Sequence, residues 1–122
     1  MPLQGTIDVV RQNQVWVIVL RGEHDLSTTT ELKRTILPTR ALGVSVVVDL
    51  SEIDFMDSTV LAVLVHAAED AASQQRAFAV IASPRPAPRC LLAVTGIDKR
   101  LRIYQTRAEA LAELETEALR TP

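Results

Sequence analysis

The sequence predicts an α/β fold built on a mixed β-sheet of four to five strands with about four helices. Short apolar, β-rich runs alternate with segments of helical periodicity, which favours parallel strands joined by helical crossovers. The first two runs, at residues 6–10 and 15–20, instead follow one another across a short polar connector, as in an antiparallel hairpin. The sheet is therefore predicted to begin antiparallel and continue parallel.

The run at residues 15–20 is apolar at every position, which indicates a strand covered on both faces. The first helix is predicted to begin at Thr28, because Thr28 and Glu31 have the spacing of a capping box. Pro38 should end or kink this helix, since proline lacks the N–H that the helical ladder requires. Gly43 closes the connection to the next strand.

A βαβ unit follows. Residues 44–50 and 77–82 are predicted strands, and residues 58–73 between them have the length and periodicity of a crossover helix. This connection favours two parallel strands.

The last third of the chain opens on a proline-rich break at residues 83–88, followed by a short helix predicted over 89–95. A short strand is predicted over 101–104. Thr106 and Glu109 then form a second capping box, which starts a C-terminal helix. Its apolar stripe consists of Leu111, Leu114 and Ala118.

Composition narrows the classes of function. A chain of 122 residues, 48% of them hydrophobic, is long enough for one core, so residues 1–122 are predicted to form a single domain. The net charge of −2 and the scattered basic residues argue against a nucleic-acid partner. Cys90 is the only cysteine, which favours the reducing cytoplasm. No apolar run approaches the ~18 residues of a membrane-spanning helix, so neither membrane insertion nor export is expected.

Ser58 stands where an acidic stretch gives way to the crossover helix. A hydroxyl at a helix start can cap exposed backbone N–H groups, and the same N–H groups with the helix dipole can hold a phosphate. From the residues alone, a plain N-cap role for Ser58 is the favoured interpretation.

A helical wheel divides the crossover helix into a core side and a polar side. The predicted core side comprises Leu61, Leu64, Val65, Ala68 and Ala72, and the polar side His66, Glu69, Asp70 and Ser73. Thr59, Ala62 and Val63 fall on or beside the polar side. The first two turns should therefore present small groups to solvent next to Ser58, as a docking surface.

Four segments in this order resemble the STAS domains of bacterial anti-sigma-factor antagonists. They are residues 20–26 (LRGEHDL), 46–50 (VVVDL), 55–59 (FMDST) with Leu61, and 95–97 (TGI). The likeness extends from about Ile7 to Leu114.

The resemblance implies a partner-switching protein without enzymatic activity of its own. Its unmodified form would bind an anti-sigma-factor serine kinase, to which any ATP would belong, and so release the sigma factor. The kinase would phosphorylate Ser58, and a metal-dependent serine phosphatase would reverse the modification. Asp25 would engage the kinase, and Asp57 would orient the Ser58 hydroxyl. Because Asp25 is placed in a loop, its replacement by Ala should cost little stability.

One departure from the family pattern bears on this interpretation. The family usually carries glycine directly after the serine pair and often again two positions on, whereas this chain has Val60 and Ala62. The wheel points Val60 sideways, where its side chain would either crowd the kinase or strengthen apolar docking. Partner-binding residues are accordingly predicted to be Asp25, Asp57, Thr59, Val60, Ala62 and Val63.

Rival functions find less support in the sequence. Ser58, Asp57 and either His24 or His66 supply the residue types of a hydrolase triad, but no Gly-x-Ser-x-Gly elbow is present. His24 is instead predicted in an exposed loop and His66 on a solvated helix face. No metal-ligand spacing or glycine-rich phosphate loop occurs, so no cofactor is expected. The alternative function is a phosphorylation-independent STAS module in a stress-signalling or transport assembly, or a small-ligand-binding STAS domain.

Overall fold

Five strands and three helices form the part of the chain that the computed structural model describes, residues 5–12, 14–82 and 100–120. The strands are β1 (Thr6–Gln12), β2 (Val15–His24), β3 (Ser45–Met56), β4 (Phe78–Ile81) and β5 (Arg102–Tyr104). The helices are α1 (Leu26–Leu42), α2 (Ser58–Ser73) and α3 (Arg107–Arg120). Within these residues, no helix is both long and apolar enough to cross a membrane.

The strands form one sheet in the order β1-β2-β3-β4-β5. β1 pairs with β2 antiparallel, and every later neighbour pairs parallel. The predicted mixed sheet, antiparallel at its start and parallel afterwards, is confirmed.

Both faces of the sheet are covered. Ile18 and Leu20 of β2 belong to the hydrophobic cluster that includes buried residues of α1 and α2. Val17 and Val19, which alternate with them, belong to the cluster that includes α3. Because successive side chains of a strand point to opposite faces, a strand between two helical layers must be apolar throughout. The prediction for residues 15–20 is confirmed.

β2 and β3 are longer than predicted. β2 continues to His24 and β3 to Met56, so residues 21–24 and 51–56, which mix polar and apolar side chains, are strand rather than loop. Parallel pairing persists to the last pair, His24 with Met56, across two shifts of register. Polar side chains do not prevent this pairing, because backbone groups supply the hydrogen bonds of the ladder.

α1 begins at Leu26, before the predicted start at Thr28, and continues through Pro38 to Leu42. Proline removes one hydrogen bond of the ladder, but the following residue, Thr39, is fully buried and keeps the last turn packed. The helix therefore does not end at Pro38. Gly43, predicted to close the connection to the next strand, is its C-cap, with a left-handed φ of 66° and its N–H directed at the carbonyls of the last turn.

The C-terminal elements agree with the sequence where the structure describes them. β5 occupies residues 102–104, and the Thr106 hydroxyl accepts a hydrogen bond from the Glu109 N–H at 3.2 Å, as expected for a helix cap. The predicted break at 83–88, the helix at 89–95 and Cys90 lie outside the described residues.

A partly buried ion pair attaches α3 to the centre of the sheet. The Asp49 side chain on β3 is only 5% exposed, and its Oδ2 lies 3.0 Å from Nη2 of Arg107, the first residue of α3. Its Oδ1 accepts a hydrogen bond from the Ser51 N–H at 2.9 Å. Both carboxylate oxygens are therefore engaged, one within β3 and one across to the helix.

Replacing Asp49 with Ala should lower the free energy of unfolding by about 2 kcal/mol, because it removes a charge-assisted hydrogen bond and the acceptor for a backbone N–H. Urea denaturation followed by the fluorescence of Trp16, the only tryptophan, measures the change. Asp8→Ala is the control, because Asp8 pairs with Arg21 at the surface and its loss should cost less than about 0.5 kcal/mol. Equal effects of the two substitutions would contradict the anchoring role of Asp49.

Candidate functional site

Two helix N-termini lie side by side at one edge of the sheet. β2 and β3 end at His24 and Met56, which are register partners. The next residue in each case, Asp25 or Asp57, is the N-cap of the following helix. Because the two strands are parallel neighbours, α1 and α2 start together at the carboxyl edge of the sheet, where loops of α/β proteins carry functional residues.

Asp57 caps α2. Its backbone is extended, and its Oδ1 accepts hydrogen bonds from the N–H groups of Thr59 at 3.0 Å and Val60 at 3.4 Å. The Thr59 hydroxyl also donates to Oδ1. The interpretation of Ser58 as the N-cap is therefore wrong, because the first N–H groups of the helix donate their hydrogen bonds to the carboxylate of Asp57.

Ser58 is the first residue of α2, and it is exposed. Within the described parts of the chain, its hydroxyl makes no hydrogen bond, whereas the neighbouring hydroxyl of Thr59 is bonded to Asp57. The two adjacent hydroxyls are therefore inequivalent. Ser58 carries the one that is accessible and not engaged in the cap.

Asp25 is a helix cap rather than a loop residue. Its Oδ1 accepts hydrogen bonds from the Ser27 N–H at 2.8 Å and from the Ser27 hydroxyl at 2.5 Å. These bonds, the hydroxyl first and the N–H second, hold the pKa of Asp25 below its ordinary value of 3.8. The predicted loop placement is wrong, and Asp25 presents a fixed negative charge beside the start of α2.

His24 is completely buried, contrary to its predicted place in an exposed loop. Its Nε2 lies 3.0 Å from the Arg21 carbonyl and 3.2 Å from the Thr6 carbonyl, and its Nδ1 lies 3.0 Å from the Thr28 hydroxyl. Both ring nitrogens are thus engaged. His66 is exposed, as predicted, two turns along α2 from Ser58. Neither histidine is arranged as the base of a hydrolase triad.

The family model described as "Mlab, STAS domain" matches residues 7–105 of the chain. The chain belongs to the STAS-domain family. The match includes β1 to β5, both helix N-termini and Ser58, so the site described above lies within the STAS domain.

Solved STAS structures resemble this one closely. An anti-sigma factor antagonist from Mycobacterium paratuberculosis is 30% identical, with a TM-score of 0.83, over 92% of this chain and 95% of that one. A STAS-domain protein from Planctomyces limnophilus, described as an anti-sigma-factor antagonist, is 26% identical, with a TM-score of 0.73, over 89% and 97%. The Bacillus cell fate determinant SpoIIAA in its phosphorylated form is 17% identical, with a TM-score of 0.69, over 88% and 98%, and shares the fold.

The predicted exposure of two α2 residues is wrong. Val60 is 0% exposed and Val63 only 7%, whereas Ala62 is exposed as expected and Thr59 is half-buried. α2 packs against both the sheet and α1, so its buried face is wider than a single-face wheel predicts. Val60, for which the sequence left crowding or apolar docking of a kinase open, lies in the core with no exposed surface.

The end of α2 contains a further correction. Ala71 is 1% exposed and belongs to the core, whereas Ala72, predicted on the core side, is exposed. The buried face is thus displaced by one residue at the end of the helix.

Two apolar residues beside this STAS site were missed by the sequence interpretation. Leu26, the first residue of α1, is 70% exposed, and Phe55, two residues before Asp57, is 50% exposed. Leu26 is the counterpart on α1 of Ser58 on α2. The sequence did contain a signal for both. Leu26 directly follows an aspartate at a helix start, and Phe55 lies within an acidic stretch, and a large apolar side chain in such polar surroundings indicates an exposed contact residue.

The charges exposed at this edge are mainly acidic. Glu23, Asp25 and Asp54 are exposed around the two helix starts. Among the described residues, no cluster of three or more His, Cys, Asp or Glu side chains is arranged to hold a metal ion. The site therefore offers a hydroxyl, apolar side chains and negative charge at its surface.

Asp25→Ala should lower the melting temperature, whereas Asp25→Asn should largely preserve it at neutral pH, because asparagine caps a helix about as well as aspartate. Thermal unfolding monitored by circular dichroism measures both. If Asp25→Ala were as stable as wild type, the residue would not act as a cap.

The same pair of proteins tests the pKa of Asp25. A folded-state pKa below the unfolded value of 3.8 contributes stability that is present above that value and is lost as the pH falls through the folded pKa. The stability of wild type relative to Asp25→Asn should therefore fall below about pH 4. A difference independent of pH between 6 and 2.5 would contradict the lowered pKa.

Proposed function

We propose that this protein is an anti-sigma-factor antagonist switched by phosphorylation of Ser58. Its unphosphorylated form binds an anti-sigma-factor serine kinase, which supplies the ATP site, and thereby releases the sigma factor. Phosphorylation ends this binding, and a metal-dependent serine phosphatase restores it. The observation that carries the proposal is the exposed Ser58 hydroxyl at the start of a helix already capped by Asp57.

The comparisons support this proposal at the level of the family. The relative from Mycobacterium paratuberculosis, 30% identical over almost the whole chain, is an anti-sigma factor antagonist. The Bacillus protein SpoIIAA, which shares the fold, has a phosphorylated form. A cytoplasmic location follows from the proposed partners, since sigma factors act on transcription.

The helix start suits a phosphate. The positive end of the helix dipole favours an anion at this position. Because Ser58 takes no part in the cap, adding a phosphate to its hydroxyl leaves the hydrogen bonds of Asp57 in place. Modification therefore changes the surface charge without requiring α2 to unfold.

Charge repulsion at the interface is the proposed basis of the switch. A phosphate adds a charge of about −1.5 to −2 beside the exposed carboxylates of Asp25 and Asp54. A hundredfold loss of affinity corresponds to about 2.8 kcal/mol, which lies within the range of like-charge juxtaposition at interfaces. Release requires that the partner have no free cation opposite Ser58, so that the phosphate is desolvated beside like charges without a compensating ion pair.

The proposed contact surface combines Asp25, Thr59 and Ala62 with the exposed apolar side chains of Leu26 and Phe55. Asp57 acts indirectly. By holding the Thr59 hydroxyl, it leaves Ser58 as the acceptor that the kinase can reach. Burial removes Val60 and Val63 from this surface.

The phosphoacceptor is tested by incubation with an anti-sigma-factor serine kinase of the same organism and ATP, with intact-mass analysis as the readout. Wild type should gain one phosphate and Ser58→Ala none. Thr59→Val, which removes the adjacent hydroxyl and keeps the side-chain shape, should still be modified. A phosphate on Thr59 would reject Ser58 as the phosphoacceptor. No phosphate on an accessible Ser58 would reject the switch and favour a phosphorylation-independent STAS interaction module.

The effect on binding is tested with two charge substitutions at opposite ends of α2. Ser58→Glu should weaken kinase binding by about a hundredfold, measured by isothermal titration calorimetry. Ser73→Glu adds the same charge at the exposed far end of the helix and should leave affinity within about twofold. Unchanged affinity of Ser58→Glu would rule out repulsion at this site.

Asp25→Asn separates partner binding from capping, because it keeps the cap and removes the charge. Kinase affinity should fall by about tenfold with little change in melting temperature. Glu113→Gln, an exposed change on α3 across the sheet, is the control and should bind as wild type does. If Asp25→Asn bound the kinase as tightly as wild type does, the role of Asp25 would be limited to capping α1.

A further inference from the structure

A cavity of about 240 Å³ lies between α1 and α2, beyond the site at their N-termini. Its apolar lining comes from both helices and from the sheet beneath. The apolar residues are Ile36, Leu37, Val46, Val63, Ala67 and Phe78. Leu37, on the α1 side, is 64% exposed, so the cavity opens to solvent along an apolar lip.

The charged residues around this cavity are mainly basic. Lys33, Arg40 and Arg76 line it together with a single carboxylate, Asp70. Asp70 Oδ2 lies 3.4 Å from Arg40 Nε and 3.3 Å from Arg76 Nη2, so one carboxylate is shared by two guanidinium groups. Within the described residues, Lys33 forms no ion pair. The cavity is therefore locally positive in a chain of net charge −2.

Arg76 is held at the cavity by an unusual backbone. Gln75, which follows Gln74, the C-cap of α2, has a left-handed φ of 58°, which glycine usually adopts. In this turn the Arg76 N–H donates a hydrogen bond to the Ala71 carbonyl at 2.8 Å. The Arg76 side chain, only 8% exposed, donates from Nη1 to the Val44 carbonyl at 3.1 Å. The guanidinium is thus fixed and largely removed from water. Nε also donates to Gln74 Oε1 at 3.0 Å and Nη1 to Thr39 Oγ1 at 3.4 Å, so Arg76 acts on an anion in the cavity chiefly through its charge.

We propose that this cavity binds a small amphipathic carboxylate, with its acyl chain against the apolar lining and its carboxylate among Lys33, Arg40 and Arg76. The charge excess selects an anionic head group, and the apolar lining selects a hydrocarbon chain. An apolar cavity of about 150 Å³ accommodates benzene, so a volume of about 240 Å³ suits a chain of about eight carbons. The site is separate from Ser58 and does not depend on the proposed function.

Sodium octanoate is the probe. Titration into uniformly ¹⁵N-labelled protein should produce saturable chemical-shift changes at Ala67, Asp70 and Phe78, with a dissociation constant of about 1 mM or tighter. Octylamine, with the same chain and the opposite charge, should bind at least tenfold more weakly. Acetate, which lacks the chain, should not perturb these residues at the same concentration.

Two variants test the assignment of charge and shape. Lys33→Glu should weaken octanoate binding by about fivefold, whereas Arg34→Glu, the same change at the neighbouring exposed residue outside the cavity, should not. Ala67→Leu should fill the cavity and reduce binding. The proposal is overturned if octanoate leaves the cavity residues unperturbed, if octylamine or acetate binds as well, or if the two charge reversals have equal effects.

Discussion

The parallel pairing of β2 and β3 up to their last residues is the constraint from which the site follows. The pairing continues beyond the apolar core to His24 and Met56, and the next residue of each strand caps a helix. Two helices with adjacent starts on one face of a sheet must present their N-terminal N–H groups at the same edge. The buried His24 ring, bonded to the carbonyls of Thr6 and Arg21, connects β1 and the end of β2 at this point.

The separation of capping from the free hydroxyl gives the site its chemical character. An N-cap contributes about 1 kcal/mol to helix stability, and on α2 this role belongs to Asp57. If Ser58 were the cap, modification of its hydroxyl would disturb the start of the helix. With the carboxylate in that role, a change of charge at Ser58 alters the surface and leaves the fold intact. This arrangement suits the proposed switch at Ser58.

The α1–α2 pair carries two surfaces of opposite character. Its N-terminal end exposes carboxylates and a hydroxyl, whereas the cavity further along is apolar with a basic rim. Asp70 follows Ser58 by twelve residues on α2, or about 18 Å at 1.5 Å per residue, which exceeds the Debye length at physiological ionic strength. A phosphate on Ser58 therefore has little direct electrostatic effect on the cavity. The two surfaces can bind ligands of different chemical classes.

The sequence by itself determined the order of strands and helices, the doubly covered β2 and the exposed position of Ser58, because local periodicity and turn residues encode them. Only the tertiary structure decided the lengths of β2 and β3, the burial of His24 and Val60, and the capping role of Asp25. These depend on pairing between strands far apart in sequence and on packing of α2 against two neighbours. The periodicity of one helix does not show how many neighbouring elements will pack against that helix. The polarity of side chains does not show where the backbone pairing of a strand ends.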